Sequence, residues 1–180
     1  MNDFQRYISF IFQPDDITEL RLIKKINDKN VIRKLWHKAK ELPQIEKYLH
    51  QQNAAGYNIY IGVNPRKELN KSCDDNVLSA RFLFADFDGI EAGDGCGIWE
   101  FVSDRIYQAD IEMPDMVVFS GHGIHCYLQL QEPLTDLNRW RRLQEGLINK
   151  LDSDKAVKNP ERLMRLAGFK NVKNKPVDCF

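Results

Sequence analysis

Long apolar runs are missing from this 180-residue chain, and so is any excess of charge: 26 Lys and Arg stand against 26 Asp and Glu. No stretch can span a bilayer, and the N-terminus lacks a basic start followed by a small-residue cleavage site. A soluble, cytoplasmic protein that does not engage membranes is therefore expected. Balanced charge excludes adhesion to nucleic acid through net charge alone, so any polyanion site must arise from local clustering. Cysteine is scarce. Cys73, Cys96, Cys126 and Cys179 show no paired C-x-x-C spacing, which argues against a disulfide framework and a zinc knuckle and leaves four free thiols. Internal repeats and low-complexity segments are absent, and the length fits one domain or two small, intimately packed halves.

What is present is an interleaving of helical and extended patterns. Phe4, Tyr7, Ile8 and Ile11 fall at helical spacing ahead of Pro14. Ile17 to Lys25 fits a strand or a helix. Leu35-Trp36 through Tyr48-Leu49 reads as one or two amphipathic helices broken near Pro43, with a solvated charged face. Asn58 to Val63 is a strand stopped by Asn64-Pro65-Arg66, and a polar loop follows around Lys71 to Asn76. Glu91 to Gly97 reads as a glycine-rich crossing loop, and Ile98, Phe101, Val102, Ile106 and Tyr107 mark a helix. Met116 to Phe119 and Ile124 to Leu130 are strands, the second closing at Pro133. Thr135 or Asp136 caps a long helix with Trp140, Leu143, Leu147 and Leu151 at core spacing. The fold class is mixed α/β without a clear linker.

Within that frame Arg81-Phe82-Leu83-Phe84-Ala85-Asp86-Phe87-Asp88-Gly89 concentrates the chemistry. Side chains alternate along a strand, so Asp86 and Asp88 share one face at its exit. Apolar residues on both faces upstream read as a central, doubly covered strand. Adjacent carboxylates near a core raise each other's pKa unless a cation sits between them, and a divalent metal is the usual answer. The plainer alternative is a solvated loop after the strand.

Downstream, Ser120-Gly121-His122-Gly123-Ile124-His125 joins two strands. Its glycines allow backbone amides to approach an anion, and Ser120 and His125 add donors, a description a phosphate fits. A ligand-free hairpin reads equally well. His122 and His125 fall on opposite faces of a strand, which disfavours a metal pair and leaves His122 as turn surface. Asp154 is a third acid, followed by Lys155, Lys158, Arg162, Arg165, Lys170, Lys173 and Lys175, opposed only by Glu161. Arg162 and Arg165 suit a triphosphate or a template backbone; a basic tail pairing with acids elsewhere is the simpler reading.

In order and spacing the three segments resemble the catalytic motifs of the archaeo-eukaryotic primase superfamily, the primase-polymerases of plasmids and phages. An Asp-x-Asp matches Asp86 and Asp88, a Ser-x-His-type motif matches Ser120 to His125, and the further acid matches Asp154. A Pro-x-Arg-x-x-Arg-Leu-Pro-Gly-x-x-Asn-x-Lys pattern of the mobile-element branch matches Pro160, Arg162, Arg165, Leu166, Gly168, Asn171 and Lys173, with Ala167 in place of proline. Asn64-Pro65-Arg66 is similar to an upstream turn of the same branch. The resemblance runs from about Asn58 to Lys173.

It implies one catalytic core over residues 1–180, an N-terminal α/β module of about residues 1–80 packed on an RNA-recognition-motif-like sheet of about residues 81–180. The implied activity is template-dependent nucleotidyl transfer, as a DNA primase, a DNA polymerase or both, on a single-stranded DNA template with NTP or dNTP substrates. Asp86, Asp88 and Asp154 would hold two Mg²⁺ or Mn²⁺ ions for in-line phosphoryl transfer. Ser120, Gly121, Gly123 and His125 would hold the incoming triphosphate, and Arg66, Arg162 and Arg165 would neutralise remaining charge. Lys170, Lys173 and Lys175 would contact nucleic acid. A replicative helicase or helicase domain is an implied partner. Two rivals stand beside this reading: a haloacid-dehalogenase-type phosphatase with Asp86 as nucleophile, for which Ile90 replaces the expected threonine, and a non-catalytic domain binding single strands or an origin.

Overall fold

The computed structural model describes residues 1–90 and 95–180, with the side chain of Cys96 also outside the described set. Helix α1 (Asp3–Ile11) is capped by the Asn2 side chain, which accepts from the Gln5 amide, and it buries Phe4, Tyr7, Ile8 and Ile11. β1 (Ile17–Ile26) and β2 (Lys29–Lys38) form a hairpin in continuous register from Ile17–Lys38 to Ile26–Lys29. Ile17 to Lys25 is thus a strand. The helix expected from Leu35 is corrected: Leu35 and Trp36 belong to β2, and α2 (Leu42–Ala54) starts with Pro43 in its first turn instead of breaking there. Proline is tolerated at that position because first-turn amides lack an intrahelical acceptor.

β3 (Asn58–Gly62) pairs with β1 on one side and with β7 (Leu163–Arg165) on the other, giving a four-stranded sheet of order β2-β1-β3-β7. A C-terminal strand therefore completes the sheet of the N-terminal half, and the division near residue 80 does not hold for the sheet. Leu20, Leu22, Ile59, Ile61 and Met164 form its buried face, under α1 and α2.

The second sheet has the order β4-β6-β5, from β4 (Ala80–Asp88), β5 (Met116–Phe119) and β6 (Gly123–Leu134). β6 continues through Pro133, past the register shift between Ala80 and Phe82, instead of closing there. Among the described residues every strand pairing is antiparallel. Phe82, Phe84 and Tyr127 face the first core, whereas Ala85, Phe87 and Cys126 pack on α3 (Gly95–Ala109) and α4 (Leu137–Leu151). The loop expected over Glu91 to Gly97 falls partly on residues 91–94, outside the described residues, while Gly95 to Gly97 open α3. Tyr107 lies on the exposed side of that helix.

β4 is an edge strand, contrary to the central position its apolar sequence suggests, and α4 takes the place of a neighbouring strand. Gln144, fully buried, accepts from the Phe84 amide at 3.1 Å and donates to the Phe84 carbonyl at 2.6 Å, while Trp140 Nε1 donates to the Phe82 carbonyl at 2.8 Å. Side chains thus satisfy outward backbone groups that would otherwise be orphaned in the core. This also reverses the expectation for α4: Leu143 is 42 % exposed and Gln144 holds the core position. Asp136 supplies the N-cap, accepting from the amides of Asn138 and Arg139. Two short strands, β8 (Lys170–Asn171) and β9 (Val177–Asp178), pair near the C-terminus. Cys73, Cys126 and Cys179 are free thiols, and among the described residues no helix is long and apolar enough to cross a membrane.

Candidate active site

Asp86 and Asp88 leave β4 on the face that turns toward the four-stranded sheet, the face shared by Phe82 and Phe84. Antiparallel register sets His125 directly opposite Asp86 and Gly123 opposite Asp88. Cross-strand partners point the same way, so the imidazole lies beside the carboxylate, Nε2 to Oδ1 at 3.6 Å. His125 is 4 % exposed, and burial, reinforced by the Arg165 charge, holds its pKa down at about 3. The ring is therefore neutral at physiological pH, and the contact is a dipole beside an acid, not an ion pair.

The third acid arrives by the same edge that carries the Gln144 clamp. Asp152 ends α4 in a left-handed conformation, φ 49°, and the chain turns so that the Asp154 amide donates to the Asp86 carbonyl at 2.9 Å. Burial first, then repulsion from Asp88 and Asp154, lifts the Asp86 carboxyl to about 7; Arg162 and Arg165 oppose this without cancelling it. Three hard oxygen donors with uncompensated charge suit Mg²⁺ or Mn²⁺. The side chain of Asp154 accepts from the Ala156 amide at 2.9 Å, and among the described residues no three potential ligands converge on one ion-sized point. The set fits divalent ions in donor type and charge.

Asp86 and Asp88 form a wall shared by two clefts. One, of about 320 Å³, is lined by Ser120, His122, His125, Arg165, Asn171 and Lys173, with Tyr60 at its side. The other, of about 540 Å³, holds Asp154, Ser153, Phe101 and Arg105. Among the described residues Arg165 is anchored by neutral groups: it donates to Asn58 Oδ1 at 2.6 Å and to the Tyr60 hydroxyl at 3.0 Å, and its guanidinium lies 4.8 Å from the Tyr60 ring centroid. Its charge is held in place at the first cleft, facing Asp86 through its field.

The Ser120 to Gly123 turn is shaped by packing. Gly121 has φ +93°, and a Cβ there would sit 2.6 Å from Asn171 Cβ; at Gly123 it would meet the Phe87 carbonyl oxygen at 2.4 Å. Protein fills the space that these glycines leave. Asn171 Nδ2 donates to the Ser120 carbonyl at 3.0 Å and so fixes the turn against β8. His122, expected at the surface of the turn, is half-buried, lines the first cleft, and has a buried Nε2 with no partner among the described residues.

Of the cations assigned to substrate, Arg66 is corrected. It is 2 % exposed, paired with the fully buried Glu19 at 3.3 Å, and donates to the carbonyls of Asn64 and Glu161, so it ties the core together away from both clefts. Arg162 is half-buried and acts on Asp86 through its field. Lys173 lines the first cleft, whereas Lys170 borders a different hollow and faces Asp178 at 3.8 Å. Lys175 is exposed. Tyr60 and Asn58 carry no local signal in the sequence until the sheets bring them beside Arg165, whereas Asn171 falls in the Pro160–Lys173 pattern and gains its contact with Ser120 only in the fold.

No protein-family model and no curated protein matches this sequence. Solved structures do match in shape. The primase-polymerase domain of cyanophage S-2L superposes with a TM-score of 0.72 at 22 % identity, over 99 % of this chain and 88 % of that one. The primase RepB' superposes at 0.67 with 16 % identity, over 99 % of this chain and 54 % of that one. Its catalytic domain in complex with initiator DNA gives 0.65 at 17 %, over 99 % and 84 %. The chain therefore has the archaeo-eukaryotic primase fold, with an N-terminal α/β part packed on a three-stranded sheet that bears the acids. The phosphatase reading gives no role to His125 or Asp154, both of which the fold seats against Asp86.

Proposed function

We propose that this protein is a template-dependent nucleotidyltransferase, a DNA primase or polymerase of a replication system acting on NTPs or dNTPs. The observation that carries this reading is the Asp86–Asp88 wall, with cations on one side and a third carboxylate on the other. Such an arrangement would keep an incoming triphosphate apart from an acceptor hydroxyl, with the reacting phosphorus between them. Mg²⁺ or Mn²⁺ held by Asp86, Asp88 and Asp154 would supply charge stabilisation for phosphoryl transfer and acidify the attacking hydroxyl. Arg165 and Lys173 would bind the triphosphate, with the Ser120 hydroxyl and the neutral His125 as hydrogen-bond donors. Asn171 would keep Ser120 in position. The Asp86 carboxyl, with its raised pKa, would hold a divalent ion only after losing its proton, so ion binding there would release one.

The test is primer extension with labelled nucleotides on a single-stranded template, with Mg²⁺ or Mn²⁺. Template-directed incorporation is expected, falling by at least about a hundredfold in Asp86→Asn. Extension that survives Asp86→Asn would refute the assignment of the acids. Salt-sensitive strand binding without incorporation at any metal concentration would favour the non-catalytic reading.

A further inference from the structure

The outer face of the four-stranded sheet carries a row of residues that leads out of the first cleft. Register aligns Arg165 with Tyr60, Tyr60 with Arg21, and Arg21 with Lys34, so one residue from each strand stands side by side. These are the neighbours in sequence of the buried Met164, Ile61 and Leu20 and therefore point away from the core. Across three inter-strand gaps the row spans roughly 14 Å. Its inner end, Arg165 and Tyr60, lines the cleft with Asp86 and His125. Its outer end, Lys34, is exposed, and among the described residues its ammonium donates only to the Ser72 hydroxyl, at 3.1 Å.

The row carries net positive charge. Arg21 contacts Glu19 at 2.6 Å, but that one carboxylate also faces Arg66, two guanidiniums to one acid. Beside the cations runs an apolar row, Ile23 aligned with Ile32, the latter 49 % exposed. Cations to track a phosphate backbone, with Tyr60 and isoleucine surfaces against which bases can lie, are the elements of a single-strand platform.

We infer that this face is the track for the unpaired template strand ahead of the catalytic centre, running from Arg165 past Tyr60 and Arg21 to Lys34. The inference rests on the polymerase reading. Its polarity follows from that reading: with the triphosphate bound by Arg165 and Lys173 in the first cleft, the acceptor would lie on the Asp154 side of the acid wall, and template not yet copied would enter from the nucleotide side, onto which the sheet face opens.

The experiment compares primer–templates carrying a one-nucleotide or a long 5′ overhang, in extension and in equilibrium binding at several salt concentrations. Wild type is expected to favour the long overhang about tenfold in KM, and Lys34→Glu to lose that preference while its salt slope for the long template falls by about one or more. Lys47→Glu, the same reversal on the exposed side of α2 behind the sheet, is expected to keep both. Extension by Lys34→Glu with the overhang preference and salt slope intact would overturn the track and leave the polymerase reading standing. A wild-type protein that extends neither template would overturn that reading, and the track with it.

Discussion

Asp86 concentrates the conflict between stability and chemistry in this protein. A carboxyl lifted to about 7 binds its proton more tightly folded than unfolded, so folding takes up a proton between about pH 4 and 7. The stability from this proton is fully present below the unfolded pKa and is lost as pH rises through 7. At pH 8 without metal the site is therefore a net burden. Asp86→Asn, which keeps the shape and removes the charge, is expected to be more stable than wild type at pH 8 by a few kcal/mol at most, with little difference at pH 4. Urea unfolding at the two pH values in a chelator checks this; equal stability gaps at both would remove the basis for a raised Asp86. His125 has the opposite sense. Its pKa near 3 makes its neutral form the folded one, so its contribution is lost as pH falls below about 6.5.

At the scale of elements, the contact between β4 and α4 decides whether the acids meet. The outward groups of Phe82, Phe84 and Asp86 are met in turn by Trp140, Gln144 and the Asp154 amide, a ladder built by a helix and its C-terminal turn. Gln144 also donates to the Val157 carbonyl at 2.9 Å and so holds the segment that carries Asp154. Gln144→Leu keeps the volume but leaves the buried amide and carbonyl of Phe84 unpaired. The expected loss is about 2–4 kcal/mol in urea unfolding. Extension by the protein that remains folded is expected to fall as well, because Asp154 loses its register with Asp86. A Gln144→Leu protein as stable as wild type would mean that the edge is satisfied in another way.

For the whole molecule, the site is the seam between two sheets. β7 crosses from the C-terminal half to complete the N-terminal sheet and carries Arg165 to the acids of the other. Ion binding at the seam would therefore report on the folded assembly. Mn²⁺ or Mg²⁺ is expected to raise the unfolding temperature, with stabilisation of about 2.7 kcal/mol at a hundredfold excess over Kd. The increment should vanish in Asp88→Asn, measured by thermal unfolding with metal and with chelator. An equal increment in the variant would place the ions elsewhere.

The sequence by itself determined the elements that bury a face in step with their own period. α1, β3, β5 and the Asp86–Asp88 strand exit were legible because the alternation that selects them lies within a few residues. The three motif segments were legible as a set only through their resemblance to the primase superfamily. β2 was not: Lys29 to Lys34 are all exposed on a projecting hairpin and show no alternation to read. Only the tertiary structure decided the rest. Arg66 and Arg165 are alike in sequence, yet the residues packed around them, Glu19 in one case and Asn58 with Tyr60 in the other, bury one charge in the core and present the other to the cleft. Likewise a glutamine among helical leucines completes a sheet edge because β4 lies beside it, a contact sixty residues away along the chain. Local periodicity reports which face is buried; what it is buried against is set by distant segments, and the chemistry of this site is made from those meetings.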